Sequence, residues 1–427
     1  MKRVLFISYF YPPYRSVGAT RVSKMTRYLA DVGWEAHVLT VDAADLPAGA
    51  PIEVPEQRIY RIPCSFDVMA LPRMLVGRGA VTARGSETTD SWKSASLWRL
   101  GQAYRNVVCF PDAQVGWAAP AARAAIRLIG EVRPHVLVSS SLPNASHLAA
   151  WRAAAATGIP WVAELRDLWT DNHNFRRIPP LRYLERRLEH KVLSRADALV
   201  TPSGVWSDAL ARRFSRPTYV VPNGFDPLDY PDGCPPAGRM ELVYTGMFYN
   251  GKQNPDPLFG AVASLAQSGA IRPEAFRLRF VGQYLAPLAA RAEAAGIGPF
   301  VAVEPPVPYR DALGLQKSAT ALVFFDWADG REKGWYSAKI YEYLGAGRPV
   351  ISIGPQGSVV ADLLRRTGAG QTASTRDEAR AILAGWLDEQ SSTGGVTCRS
   401  DAESLRPYWR QTAAATLGRI LDAHARF

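Results

Sequence analysis

Residues Ser337–Ile351 read SAKIYEYLGAGRPVI. Small residues precede an amphipathic run, Gly345 and Gly347 end it, and Pro349-Val350-Ile351 opens a β-rich run. This spacing predicts a helix over Ala338–Ala346 followed at once by a strand. The start of such a helix offers free N–H groups and the positive end of its dipole to a phosphate, which makes Ser337, Ala338 and Lys339 candidate anion ligands. Glu342 stands about one turn further on, where a carboxylate can accept hydrogen bonds from ribose hydroxyls. Taken alone, the segment also reads as ordinary helix–strand packing with an exposed Glu342.

Outward from this stretch the same alternation continues in both directions. Short apolar runs at Val4–Ser8, Ala36–Thr40, His135–Ser139, Trp161–Leu165, Ala198–Thr201 and Tyr219–Val221 read as strands. A second series follows at Leu242–Thr245, Leu278–Val281, Val301–Val303, Ala321–Phe325 and Val350–Ile353. Longer amphipathic runs fall between them, among them Ala19–Gly33, Pro255–Ser268 and Tyr309–Ser318. Such alternation implies parallel sheets covered on both faces. It pauses once, at the five-proline stretch 222–239, which reads as an interdomain linker. The expected class is α/β, with a domain over 1–222, a linker over 223–240, a second domain over 241–405 and a final helix over 406–427. Two Rossmann-like domains facing a shared cleft suit the binding of two substrates.

Composition narrows the functions. The 427 residues carry a net charge of +11, of which +9 falls in residues 1–240. A basic half attracts nucleic acid, an anionic membrane surface or an anionic substrate. No zinc-finger spacing, ribonucleoprotein motif or basic stripe is present, so nucleic acid ranks last. Cys64, Cys109, Cys234 and Cys398 lie far apart and the six histidines are scattered, which argues against a metal site and suits a reducing cytoplasm. The opening MKRVLFISYFYPPY reads as a first strand rather than a signal peptide. The region Leu71–Trp117 is less regular, interleaving Trp92, Trp98, Tyr104, Phe110 and Trp117 with Arg and Gly. It is either a functional excursion or a surface one whose aromatics bury themselves locally.

Ser337–Ile351 resembles the donor-site signature of the large retaining GT-B glycosyltransferase family, the family-four type that includes bacterial cell-surface polysaccharide enzymes. In that signature a Glu, seven residues and a second Glu precede a short helix, a Gly and Pro-Val-Ile. Glu342 matches the second Glu, the ribose ligand of the family. The first, which contacts the donor sugar, falls at Gly334 and is missing, and Glu332 is a weak substitute. Lys339 stands where the family often has Pro. In Leu242–Lys252, LVYTGMFYNGK, Gly246 and Lys252 match the glycine and the pyrophosphate-binding lysine, while Met247 replaces a usual Arg. Gly282 in Phe280-Val-Gly282 and Val307 in Val307-Pro308-Tyr309 match loops near the nucleotide. In the first half, Gly18 falls in the glycine-containing loop after the first strand. Arg166 and Asp167 belong to an Arg–Asp–Leu–Trp segment found in bacterial members. Pro222-Asn223-Gly224 matches the hinge.

The resemblance implies a retaining transferase that moves a sugar from a UDP- or GDP-sugar to a glycan or lipid-linked acceptor. The first domain would take the acceptor side and the second the nucleotide sugar, with the final helix packing back toward the first. Lys252, Glu342, Arg166 and Asp167 would be its catalytic residues. No two Asp are separated by one residue, so no divalent metal or other cofactor is expected; Lys252, Lys339 and the helix start would stabilise the leaving diphosphate. Same-face transfer is the expected route. The implied setting is cell-surface polysaccharide or glycoconjugate synthesis in the cytoplasm, at the inner face of the plasma membrane. The basic first half and the Arg-rich run Leu181–Arg195 motivate contact with anionic lipid. Two alternatives stay open: a nucleotide-sugar epimerase of the same fold, and an inactive nucleotide-sugar-binding paralogue.

Overall fold

The computed structural model describes residues 1–42, 49–66, 109–172, 177–233, 238–327 and 334–426. Trp92, Trp98, Tyr104 and Glu332 lie outside them. The chain forms two units, Met1–Asn223 with Arg410–Phe427, and Gly224–Trp409.

In the first unit, strands β1 (Lys2–Ser8), β2 (Trp34–Val41), β3 (Ile59–Ile62), β4 (Val136–Ser141), β5 (Trp161–Leu165), β6 (Ala198–Thr201) and β7 (Thr218–Val220) form one sheet in the order β3-β2-β1-β4-β5-β6-β7. In the second, β8 (Met240–Met247), β9 (Phe276–Gln283), β10 (Val301–Glu304), β11 (Ala321–Phe325), β12 (Val350–Ile353) and β13 (Gly370–Ala373) follow the order β10-β9-β8-β11-β12-β13. Every pairing is parallel. Parallel strands buried on both faces read as continuous apolar runs, and that is why most of them are visible in the sequence. Leu5 and Ile7 enter one core, Val4 and Phe6 the other. The second sheet divides alike, with Tyr244 on one side and Val243 on the opposite side.

Each sheet begins near its middle and reverses its winding once, between β1 and β4 and between β8 and β11. These reversals are where open α/β sheets bind ligands, beyond the carboxyl ends of the strands. The terminal helix Arg410–His424 belongs to the first unit, where Ala413, Leu417 and Leu421 join Val22, Met25 and Trp34 in one core.

Two expectations need correction. The irregular stretch does not reach Trp117, because a helix begins at Val115 and runs to Val132. Trp117 is fully buried there with Ala118, Ala121 and Ala125, so it serves the core. The edge strands β3 and β13 were not expected. Their sequences, IYRI and GQTA, are half exposed and lack an apolar run.

One buried polar group ties the first unit together. Arg21, on helix Val17–Tyr28, is 1% exposed. Its guanidinium pairs with Glu164 on β5 at 2.8 Å. It also donates to the carbonyls of Val221 and Pro222, both at 2.8 Å, and to Asn223 Oδ1 at 2.9 Å. Ser140 on β4 donates to the other Glu164 oxygen at 2.6 Å. Burial pushes the Glu164 carboxyl up, but Arg21 and Ser140 outweigh it and hold it below the ordinary carboxylate range. Removing one partner leaves a buried charge uncompensated, so Arg21→Ala should cost about 3–5 kcal/mol in urea unfolding. Because the Glu164 pKa is depressed in the folded state, its contribution is present above the ordinary carboxylate pKa and lost as pH falls through the folded value. Acid unfolding of Glu164→Gln should lack that component.

Candidate functional site

The site in the second unit is built on the carboxyl end of β8. The strand is buried through Thr245 and reaches the surface at Gly246. Gly246 pairs with Gly282 on β9, and both have positive φ, +113° and +153°. A Cβ on Gly282 would lie 2.0 Å from the Gly246 carbonyl oxygen, and a Cβ on Gly246 would lie 2.9 Å from Lys339 Cε. Gly282 has no room for a side chain, and at Gly246 the positive φ disfavours one.

Two helices clamp this strand end. The Thr245 N–H donates to Tyr343 Oη at 3.0 Å, and Gln316 Nε2 donates to Thr245 Oγ1 at 2.8 Å. Tyr343 lies on helix Ala338–Ala346, so β8 and that helix cannot shift independently. Ser337 is its N-cap, accepting from the Lys339 N–H at 3.4 Å, and Gly347 closes it in the left-handed region. Tyr230 donates to the Glu342 carbonyl at 2.6 Å, and the Glu342 side chain is half-buried nearby.

Lys339 projects back from the first turn. Its ammonium lies 3.7 Å from the centroid of the Tyr244 ring. Among the described residues it has no hydrogen-bond or ion-pair partner. Burial pushes its pKa down to about 7, against the opposing attraction of Glu342. A desolvated cation beside open backbone at a helix start is poised for an anion.

Lys252 sits on the exposed loop after β8, with its ammonium 4.2 Å from the Trp327 ring centroid. Buried Gln253 fixes this loop: Nε2 donates to the Phe325 carbonyl at 2.6 Å, and Oε1 accepts from the Tyr249 N–H at 2.9 Å. The two lysines thus each rest on an aromatic ring. Tyr244, Tyr343, Gln253 and Trp327 were not anticipated as site residues. The one available signal was an aromatic two residues beyond the β11 run.

Gly246, Gly282, Ser337, Ala338, Lys339 and Glu342 therefore cluster around the β8 end, and Lys252 lies on the loop leaving it. Val307 instead lines a groove of about 570 Å³ with Pro231, Gly233, Arg279 and Arg310, which none of those residues lines. In the first unit, Gly18 and Arg166 are brought together, since a Cβ on Gly18 would lie 1.6 Å from Arg166 Nη1. Arg166 donates from Nε to the Ser141 carbonyl and from Nη2 to that of Leu142 at 2.6 Å. It braces the loop after β4. Burial pushes the adjacent Asp167 carboxyl up, with Arg166 opposing. Among the described residues no cluster of three or more His, Cys, Asp or Glu could hold a metal ion.

The family model for the glycosyl transferase 4-like domain matches residues 18–224. Residues 18–224 are thus similar to a glycosyl transferase 4-like domain. No curated protein sequence matches the chain. Among solved structures, HepE of Anabaena in complex with UDP and glucose is 13% identical, with TM-score 0.63 over 99% of this chain and 100% of that one. Sucrose-phosphate synthase of Thermosynechococcus elongatus is 12% identical, with TM-score 0.60 over 99% of both chains. The UDP-GlcNAc 2-epimerase of Methanocaldococcus jannaschii is 11% identical, with TM-score 0.52 over 99% and 100%. At these identities the likeness is one of fold alone, the GT-B fold of two parallel-sheet α/β units.

The depressed Lys339 pKa sets a pH dependence. From about pH 7 to about pH 10 the unfolded chain keeps a proton that folded Lys339 has released. The unfolded state then binds more protons, so this residue makes stability rise with pH across that window. Lys339→Met should flatten the rise in urea unfolding measured at pH 7, 8 and 9.

Proposed function

We propose that the chain is a retaining glycosyltransferase that moves a sugar from a UDP- or GDP-sugar to a glycan or lipid-linked acceptor in bacterial cell-surface glycan synthesis. The observation that carries this reading is Lys339, a desolvated ammonium held on Tyr244 beside Gly246, at the start of a capped helix. A nucleoside diphosphate supplies the charge this position lacks. Glu342, within the same helix, accepts from ribose hydroxyls. As the bond from the anomeric carbon to the diphosphate breaks, negative charge grows on the leaving oxygen. Lys252, Lys339 and the helix N–H groups stabilise that charge without a metal. The acceptor hydroxyl oxygen attacks the anomeric carbon on the same face and gives its proton to the leaving diphosphate oxygen, so the anomeric configuration is retained.

The fold is compatible with epimerisation as well, given the epimerase among its structural likenesses. The glycosyl transferase 4-like domain favours transfer. Isomerised donor in the absence of any acceptor would reverse that preference.

A thermal-shift screen against UDP, GDP, ADP and their sugar conjugates tests the site, because a ligand bound by the native state alone raises the unfolding temperature. UDP or GDP should stabilise the wild type. In a transfer assay Lys252→Ala should lower kcat on the order of 10²–10³-fold without loss of fold. Unchanged turnover would remove Lys252 from the mechanism.

The acceptor side is read as working at the cytoplasmic face of the membrane. Among the described residues no helix is long and apolar enough to cross a bilayer. Ile178, Tyr183 and Leu184 are exposed beside Arg182, Arg186 and Arg187, on or next to helix Pro179–Leu193. Arg182 and Arg186 pair with Asp171, and exposed apolar side chains interleaved with Arg along a helix suit an anionic interface. The protein should co-sediment with vesicles containing anionic lipid and much less with neutral ones. Equal partition would count against membrane contact.

A further inference from the structure

The strand beside β8 ends on a residue in a conformation that its side chain does not favour. Tyr284 directly follows β9, and its φ is +58°, in the left-handed region. A bulky residue is strained there, and a glycine is not. Among the described residues two others besides glycines share this region, Arg133 and Ser215. Each of those caps the carboxyl end of a helix, where a left-handed residue is usual. Tyr284 ends no helix. It stands between Gln283, whose carbonyl accepts from the Phe248 N–H at 3.3 Å, and Leu285, which is buried and caps the start of helix Ala286–Ala294. The backbone is held on both sides, and the left-handed turn falls on this one residue.

The Tyr284 side chain is 45% exposed. Among the described residues its ring stacks on no other ring and holds no cation, and its hydroxyl has no hydrogen bond. Neither a ring contact nor a hydrogen bond therefore accounts for an aromatic where the backbone favours glycine. Strain that local contacts do not explain points to a function, and the position supplies one. Tyr284 is two residues past Gly282, at most about 7 Å of chain. Gly282 pairs with Gly246, beside the Lys339 side chain. We propose that the Tyr284 ring is the stacking platform for the base of the nucleotide whose diphosphate Lys339 receives. This rests on the nucleoside-diphosphate reading of the site. A tyrosine offers a flat, rigid face and loses little rotamer freedom in doing so. Every base has a face to stack, so the contact adds affinity without choosing between UDP and GDP.

The test is calorimetric titration of the wild type, Y284G, Y284L and Y284F with UDP, with GDP and with inorganic pyrophosphate, each variant checked by thermal unfolding. Y284G should weaken nucleotide binding about tenfold, the scale of one base stacked on an aromatic ring, and leave pyrophosphate affinity unchanged. It should unfold no earlier than the wild type, because glycine relieves the left-handed strain. Y284F keeps the face and should bind as the wild type does, whereas Y284L keeps bulk without a face and should bind as Y284G does. If Y284G does not fold, Y284L against Y284F carries the test. Unchanged nucleotide affinity in Y284L, a loss of pyrophosphate binding as large as that of the nucleotide, or Y284F as weak as Y284L would overturn the proposal. So would a wild type that binds UDP and GDP no more tightly than pyrophosphate. A wild type that binds none of the three removes the underlying reading. A wild type that binds UDP or GDP, with Y284L unaffected, removes only the role of Tyr284.

Discussion

A parallel strand packed on both faces has no polar surface along its length, so its chemistry is pushed to its ends. Both sheets obey this constraint. β4 is buried at all six positions and β11 at all five. The candidate functional residues gather at or beyond the carboxyl ends, where the winding reverses. Gly246, Gly282, Lys339 and Trp327 occupy that position in the second unit, and Gly18 and Arg166 occupy it in the first. The glycines follow from the same constraint, because adjacent strand ends leave no volume between the Gly246 carbonyl and Gly282.

Charge is handled differently in the two units. In the first, the buried Arg21 guanidinium is matched donor by donor to Glu164, Val221, Pro222 and Asn223. Such saturation makes it a structural anchor, joining the first helix, a central strand and the end of the domain. Arg166 is likewise occupied by carbonyls. In the second unit Lys339 has an aromatic face and a carboxylate one turn away instead of a saturating set. A cation left unsaturated at a strand end is available to a ligand, and one saturated in a core is not.

Much of the architecture was legible because parallel strands leave apolar runs in the chain. Trp161–Leu165, Ala321–Phe325 and Val350–Ile353 have the bounds their sequences imply, and so does the helix Ala338–Ala346. The edge strands β3 and β13 were not legible, since an edge strand half open to water needs no apolar run. Helix Ala145–Thr157 escaped for the opposite reason. Its first six residues, Ala145–Ala150, are all buried, so no polar face marks a period there.

The sequence by itself determined the alternation, the two-sheet class and the candidates Ser337, Lys339, Glu342, Gly246 and Lys252, because these follow from local spacing and side-chain chemistry. Only the tertiary structure decided which of them keep company. It put Lys339 on Tyr244 and Lys252 on Trp327, lined a different groove with Val307, and occupied Arg166 with carbonyls over Gly18. These partners lie tens to hundreds of positions apart in the chain, and no local period encodes which strand ends and helix starts will be neighbours. Desolvation, which turns an ordinary lysine into one with a pKa of about 7, exists only once those neighbours have closed around it.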